Sequence, residues 1–177
     1  KLRFSKYQQL SQKDRKIFFD ELSEKHKKII DIISFCFMPN HFHLLIRQLK
    51  ENGISRFTGI LQNSYTKYFN VKHKKIGPLL QGQFKAVRVE DDSQLLHLSR
   101  YIHLNPYTSF IVKELSELKN YQWSSFMEYI SEGNLGLCNK EIVLGNFKDS
   151  KEYQEFVFDQ ALYQRELDKV KHLTLED

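Results

Sequence analysis

His41, Phe42 and His43 stand consecutively in a mostly apolar run. On a β-strand successive side chains alternate faces, so His41 and His43 point one way and Phe42 the other. Two imidazoles so placed can both reach one metal ion. The same pair could equally serve as hydrogen-bonded strand histidines. A second group lies further along, where His97, Tyr101 and Asn105 recur every fourth residue and so line one helical face. Leu95, Leu98 and Ile102 form a separate apolar stripe. A tyrosine with an amide one turn later, both off that stripe, offers a phenol nucleophile beside a further metal ligand. A partly buried structural tyrosine is the competing reading. Tyr65 and Tyr68 are the fallback nucleophiles, but their place in another apolar stripe marks them as core.

These groups need elements to hold them. Ser11 followed by Asp14 resembles a capping box ahead of Ile17, Phe18, Leu22 and Ile29, which predicts a helix over 11–28. Residues 30–38 are rich in Ile and Phe and read as a buried strand. Met38-Pro39-Asn40 breaks it, and residues 41–48 read as its antiparallel partner. Ile54, Phe57, Leu61, Tyr65 and Tyr68 give a helical stripe over 53–72. Gly77-Pro78 and Gly82 mark a loop, and residues 84–90 alternate like a strand. Asp92 or Ser93 caps the next helix, which the pattern ends near Asn105 because Pro106 disfavours helical geometry before it. Tyr121, Trp123 and Phe126 pack a connector on the sheet, and Ser150 caps a final helix carrying Tyr153, Phe156, Val157 and Ala161.

With one strand before residue 1, this order is a ferredoxin-like α+β fold. Its antiparallel sheet carries helices on one face, and an added helix, the one bearing the candidate catalytic Tyr101, and a helical C-terminal extension follow. The expected division is a domain over 1–130 that holds the candidate site and a helical extension over 131–177.

Composition narrows the classes. The 177 residues are 41% hydrophobic and 28% charged, with no apolar run near the roughly 20 residues a bilayer span requires. Residues 1–10 lack the apolar stretch of a signal peptide. The two cysteines, Cys36 and Cys138, form no CxxC pair, which fits a reducing cytoplasm and no structural zinc. Net charge is +5, yet residues 52–89 hold no Asp or Glu and seven cations: Arg56, Lys67, Lys72, Lys74, Lys75, Lys85 and Arg88. Phe57, Tyr65, Tyr68, Phe69 and Phe84 are interleaved with them, a mixture suited to phosphates and unstacked bases. A solvated basic face over core aromatics would look similar.

Two separated segments carry a resemblance. Met38-Pro39-Asn40-His41-Phe42-His43-Leu44-Leu45-Ile46, followed by Arg100-Tyr101-Ile102-His103-Leu104-Asn105-Pro106, resembles the HUH single-tyrosine transposases. The likeness is strongest to the branch of REP-associated tyrosine transposases and their insertion-sequence relatives. Gly82-Gln83-Phe84-Lys85-Ala86-Val87 and Trp123-Ser124-Ser125 add to it, and the likeness covers about residues 11–130.

The resemblance implies that His41 and His43 are metal ligands, with Asn105 as third protein ligand and Tyr101 as nucleophile. It implies Mg²⁺ or Mn²⁺ as cofactor and single-stranded DNA with hairpin structure as partner, gripped by the seven cations above. The implied reaction cleaves and rejoins that strand through a 5′-phosphotyrosine, in the cytoplasm beside the nucleoid. A homodimer is compatible with it. The family's first strand is expected before residue 1. The competing readings are a non-catalytic single-stranded nucleic-acid-binding protein on a ferredoxin-like sheet and a metal-assisted hydrolase of small phosphoesters.

Overall fold

The computed structural model describes residues 6, 9–25, 28–81, 84–131 and 136–174. Gly82 and Gln83, part of the loop and of the family-like segment above, lie outside them.

Helix α1 (Gln12–Lys25) starts as Ser11 and Asp14 predict: Ser11 Oγ accepts the Asp14 N–H at 3.2 Å. Strands β1 (Ile30–Phe37) and β2 (Phe42–Gln48) form the expected antiparallel hairpin, closed by the Pro39-Asn40 turn. Cys36 lies opposite His43, and Phe35 opposite Leu44. The other edge of β1 is also occupied: Phe37 N–H reaches the Trp123 carbonyl at 2.8 Å and Ser125 N–H the Phe35 carbonyl at 3.0 Å. The connector therefore docks on the sheet through backbone groups, the Tyr121 hydroxyl on the Phe37 carbonyl and the fully buried Phe126 ring, whereas Trp123, expected to pack there, is 56% exposed.

A full ferredoxin-like sheet is not seen among the described residues. Among the described residues the sheet has two strands, and residues 84–90, expected as a strand, join no ladder. Val87 is 83% exposed. Alternation alone does not make a strand: among the described residues no other segment lies beside 84–90 to pair with its backbone.

Helix α2 (Gly53–His73) begins where the chain turns tightly over β1. Leu49 and Lys50 N–H both converge on the Ile29 carbonyl, and a side chain at position 53 would strike that oxygen, so glycine is required. The buried residues of α2, Gly53 and Thr58, lie in its first turns. Tyr65 and Tyr68, expected in the core, are 51% and 42% exposed.

Helix α3 (Asp92–Thr108) crosses the sheet. Its cap is Asp91, whose carboxylate accepts the Gln94 N–H at 2.7 Å, one residue before the expected caps. It also runs through Pro106 instead of ending at Asn105. Burial of Leu104, Pro106 and Tyr107 outweighs the lost N–H and the local preference. The Pro106 carbonyl closes the helix by accepting N–H from both Ile111 and Val112, each at 2.9 Å.

After a short 3₁₀ turn (Leu115–Asn120) come α4 (Phe126–Ile130), α5 (Glu141–Leu144), α6 (Ser150–Asp159) and α7 (Ala161–Thr174). The single final helix expected from Ser150 onward is thus two, broken at Gln160, and Asp149 is the cap that precedes it. Tyr153, Val157 and Ala161 are fully buried and share one core with Ile33, Leu104 and Phe126. Arg165 clamps α7 to the end of α3, with its guanidinium 4.0 Å from the Tyr107 ring and 4.2 Å from the Phe110 ring.

Candidate active site

The hairpin supplies the first half of the site. His41 and His43 share the sheet face that looks toward α3, and their Nε2 atoms lie 3.1 Å apart. Two nitrogens bound side by side to one ion, each about 2.1 Å from it, stand at about this separation. A second feature prepares His41 for such a role. Its Nδ1 lies 2.6 Å from Asn40 Oδ1, an acceptor in the turn, so Nδ1 carries the proton and Nε2 presents a lone pair. Burial, reinforced by His41 alongside and opposed by Asp168 of α7, lowers the His43 pKa and keeps its ring neutral.

Helix α3 brings the second half. The Tyr101 ring stands edge-on to His43 with centroids 5.7 Å apart. Residues separated by nearly sixty positions therefore meet. Burial, and then the negative charge of Asp168, push the Tyr101 phenol above its usual range, so it rests protonated. Asn105 sits one turn on, buried, with its side-chain amide donating to the Tyr101 carbonyl at 2.9 Å. No hydrogen bond joins Asn105 to either imidazole among the described residues. His97, on the same expected face, turns to Arg100 instead, at 2.6 Å from its guanidinium.

No third His, Cys, Asp or Glu among the described residues gathers with the histidine pair. The pair fits a divalent ion by spacing, with the proton that His43 Nε2 shares with His41 Nε2 given up on binding, and the donors left to complete it are an amide, water and the substrate's own phosphate oxygens.

The seven predicted DNA-contacting cations lie outside this cluster. Arg56, Lys67 and Lys72 are exposed on α2, and Lys74, Lys75, Lys85 and Arg88 are exposed on the chain that follows. Lys72 stands 5.7 Å from the Tyr68 ring and Lys75 5.8 Å from the Phe69 ring. Arg88 pairs with Glu90 at 3.7 Å; the other six have no ion pair among the described residues.

Sequence reasoning missed the supports around the site. His103, inside the quoted Tyr101–Pro106 segment, is fully buried and its pKa is pushed down to about 3 by that burial. Arg100 is buried against α6, with its guanidinium 4.4 Å from the Phe156 ring. Asp168 gave no sequence signal, because its partners are distant along the chain.

Fold and site together define an α+β protein with a helix-borne phenol set against paired strand imidazoles. The chain belongs to the family of IS200-like transposases, whose family model matches residues 3–105. That family cleaves and rejoins single-stranded DNA through a tyrosine, and its members bind DNA. The chain is also similar to a cysteine–tRNA ligase of Acholeplasma laidlawii, at 24% identity over 109 residues, covering 59% of this chain. It spans only 24% of that protein. No solved structure matches the chain. No described helix is long and apolar enough to cross a membrane.

Proposed function

We propose that this chain cuts and rejoins single-stranded DNA at the junction of β2 and α3, with Tyr101 as nucleophile and His41, His43 and Asn105 holding a divalent cation. The observation that carries this reading is the approach of Tyr101 to His43 at 5.7 Å, beside two imidazole nitrogens that already converge. When bound, Mg²⁺ or Mn²⁺ would supply positive charge to offset the charge that builds on the phosphate oxygens.

The chain's own groups do the rest. His41 is oriented by Asn40, and His43 is held neutral by burial. Tyr101 Oη attacks phosphorus, forming a 5′-phosphotyrosine ester as the bond to the 3′ oxygen breaks. The phenolic proton ends on the released 3′-hydroxyl. One ester replaces another, so the strand can be rejoined by the reverse attack without an energy source. Exposed cations on α2 and after it suit a strand with hairpin structure, met in the cytoplasm beside the nucleoid. A purely binding protein would leave the Tyr101–His43 contact without a purpose.

The test is covalent capture. With Mn²⁺ and a labelled pool of single-stranded hairpin oligonucleotides, the native chain should give a denaturant-resistant adduct that Tyr101→Phe abolishes. An adduct that persists in Tyr101→Phe would remove Tyr101 from the mechanism.

A further inference from the structure

Behind the catalytic helix runs a line of buried polar side chains. Ser99, His103, Ser125 and Tyr153 are all fully buried, and their hydrogen bonds can be followed in one direction. Ser99 Oγ donates to the Leu96 carbonyl at 2.8 Å, so the Tyr153 hydroxyl, 3.2 Å away, donates to Ser99. Tyr153 must then accept from His103 Nδ1–H at 2.7 Å. That leaves His103 Nε2 bare, and it accepts the Ser125 hydroxyl at 2.8 Å. Ser125 Oγ in turn accepts the Phe35 N–H of β1 at 2.9 Å, and the Phe35 carbonyl is its longer alternative at 3.2 Å.

We propose that His103 is a positioning residue: it is the centre of a strap from α6 through α3 to β1 that sets the depth and rotation at which α3 presents Tyr101 to His43. Why the presentation matters rests on the function proposed above. The geometry of the strap does not.

Three observations carry the inference. Tyr101 and Asn105 lie two residues either side of His103, each about 160° around the helix from it. A tether at the rear of α3 therefore governs the direction of the front. The strap also ends on Phe35, whose cross-strand partner Leu44 adjoins His43, so it measures the helix against the strand pair that bears the imidazoles. Finally, four buried polar groups are costly unless every one is bonded, and apolar side chains would fill the same space without that requirement. What hydrogen bonds add over apolar packing is direction, because a helix on a greasy surface can slide or roll by small amounts and one with fixed donors cannot.

The deciding measurement needs neither DNA nor metal. The Tyr101 ring shifts the NMR signals of the His43 ring protons, measured as the difference between the native chain and Tyr101→Leu. His103→Phe keeps the volume and removes the strap; Ser125→Ala removes it from the sheet side. Each should at least halve that difference while cooperative unfolding is retained, and the double variant should reduce it little further. In the adduct assay each should slow single-turnover capture at least tenfold and leave the oligonucleotide Kd within twofold. A full-sized shift in folded His103→Phe and Ser125→Ala would overturn the proposal; should His103→Phe not fold, Ser125→Ala decides alone. A native chain that forms no adduct would count against the proposed function, and the NMR comparison would still judge the strap.

Discussion

At the scale of single residues, the site depends on which nitrogen of each imidazole carries a proton. Asn40 settles this for His41 by accepting from Nδ1 at 2.6 Å, which frees Nε2 to face its neighbour. Outer partners of this kind tune metal affinity by 10–100-fold. Asn40→Ala should therefore weaken Mn²⁺ binding by about that factor in calorimetry, with the fold intact. Unchanged affinity would mean that the turn does not orient the ring. Tyr101 is the opposite case, since burial and Asp168 hold its phenol protonated. On the function proposed above, its activation would come with the cation and the substrate.

At the scale of elements, the hairpin and α3 do most of the placing. Asp91 satisfies the start of α3, and Asp91→Ala should cost about 1 kcal/mol and lower Tm by roughly 2–4 °C in a scanning experiment. A change below half a degree would leave the cap without weight. Much of this layer was legible in the sequence. Alternation put His41 and His43 on one face, the Pro39-Asn40 turn made a hairpin, and a spacing of four set Tyr101 and Asn105 together. What failed did so where distant burial overrode a local signal. Pro106 suggests a helix end, yet the core holds the helix through it to Thr108. Tyr65 and Tyr68 share a stripe with residues that do pack, yet among the described residues nothing buries them. Residues 84–90 alternate like a strand, and a strand needs a neighbour that no local pattern supplies. The His103–Ser125–Tyr153 line was unreadable for the same reason: its members are ordinary residues until the fold joins them.

At the scale of the molecule, two bulk responses follow. His103 is held neutral with a pKa of about 3, against 6.5 in the open chain. Between those values the unfolded chain binds a proton that the native one refuses. Stability from this group is therefore full above pH 6.5 and falls as pH drops toward 3, by about 1.4 kcal/mol per pH unit. Urea unfolding from pH 7 to 4 should show that slope, and His103→Phe should lack it. A native midpoint that stays level from pH 7 to 5 would contradict the assignment. The second response is to salt. Each phosphate contact to a single strand adds about −0.7 to the slope of log affinity against log salt. Lys67→Ala with Lys72→Ala should therefore make that slope shallower by about 1.4, as read from oligonucleotide titrations. An unaltered slope would place the DNA elsewhere.

Tyr153 stands fifty residues after His103, yet its hydroxyl joins the buried line behind α3. On the function and strap proposed above, α6 would thereby take part in aiming the cut. Exchanging α6 between relatives would therefore alter how α3 is held as well as what α6 itself contacts. Successful hybrids should carry compensating changes at positions 99, 103 and 125.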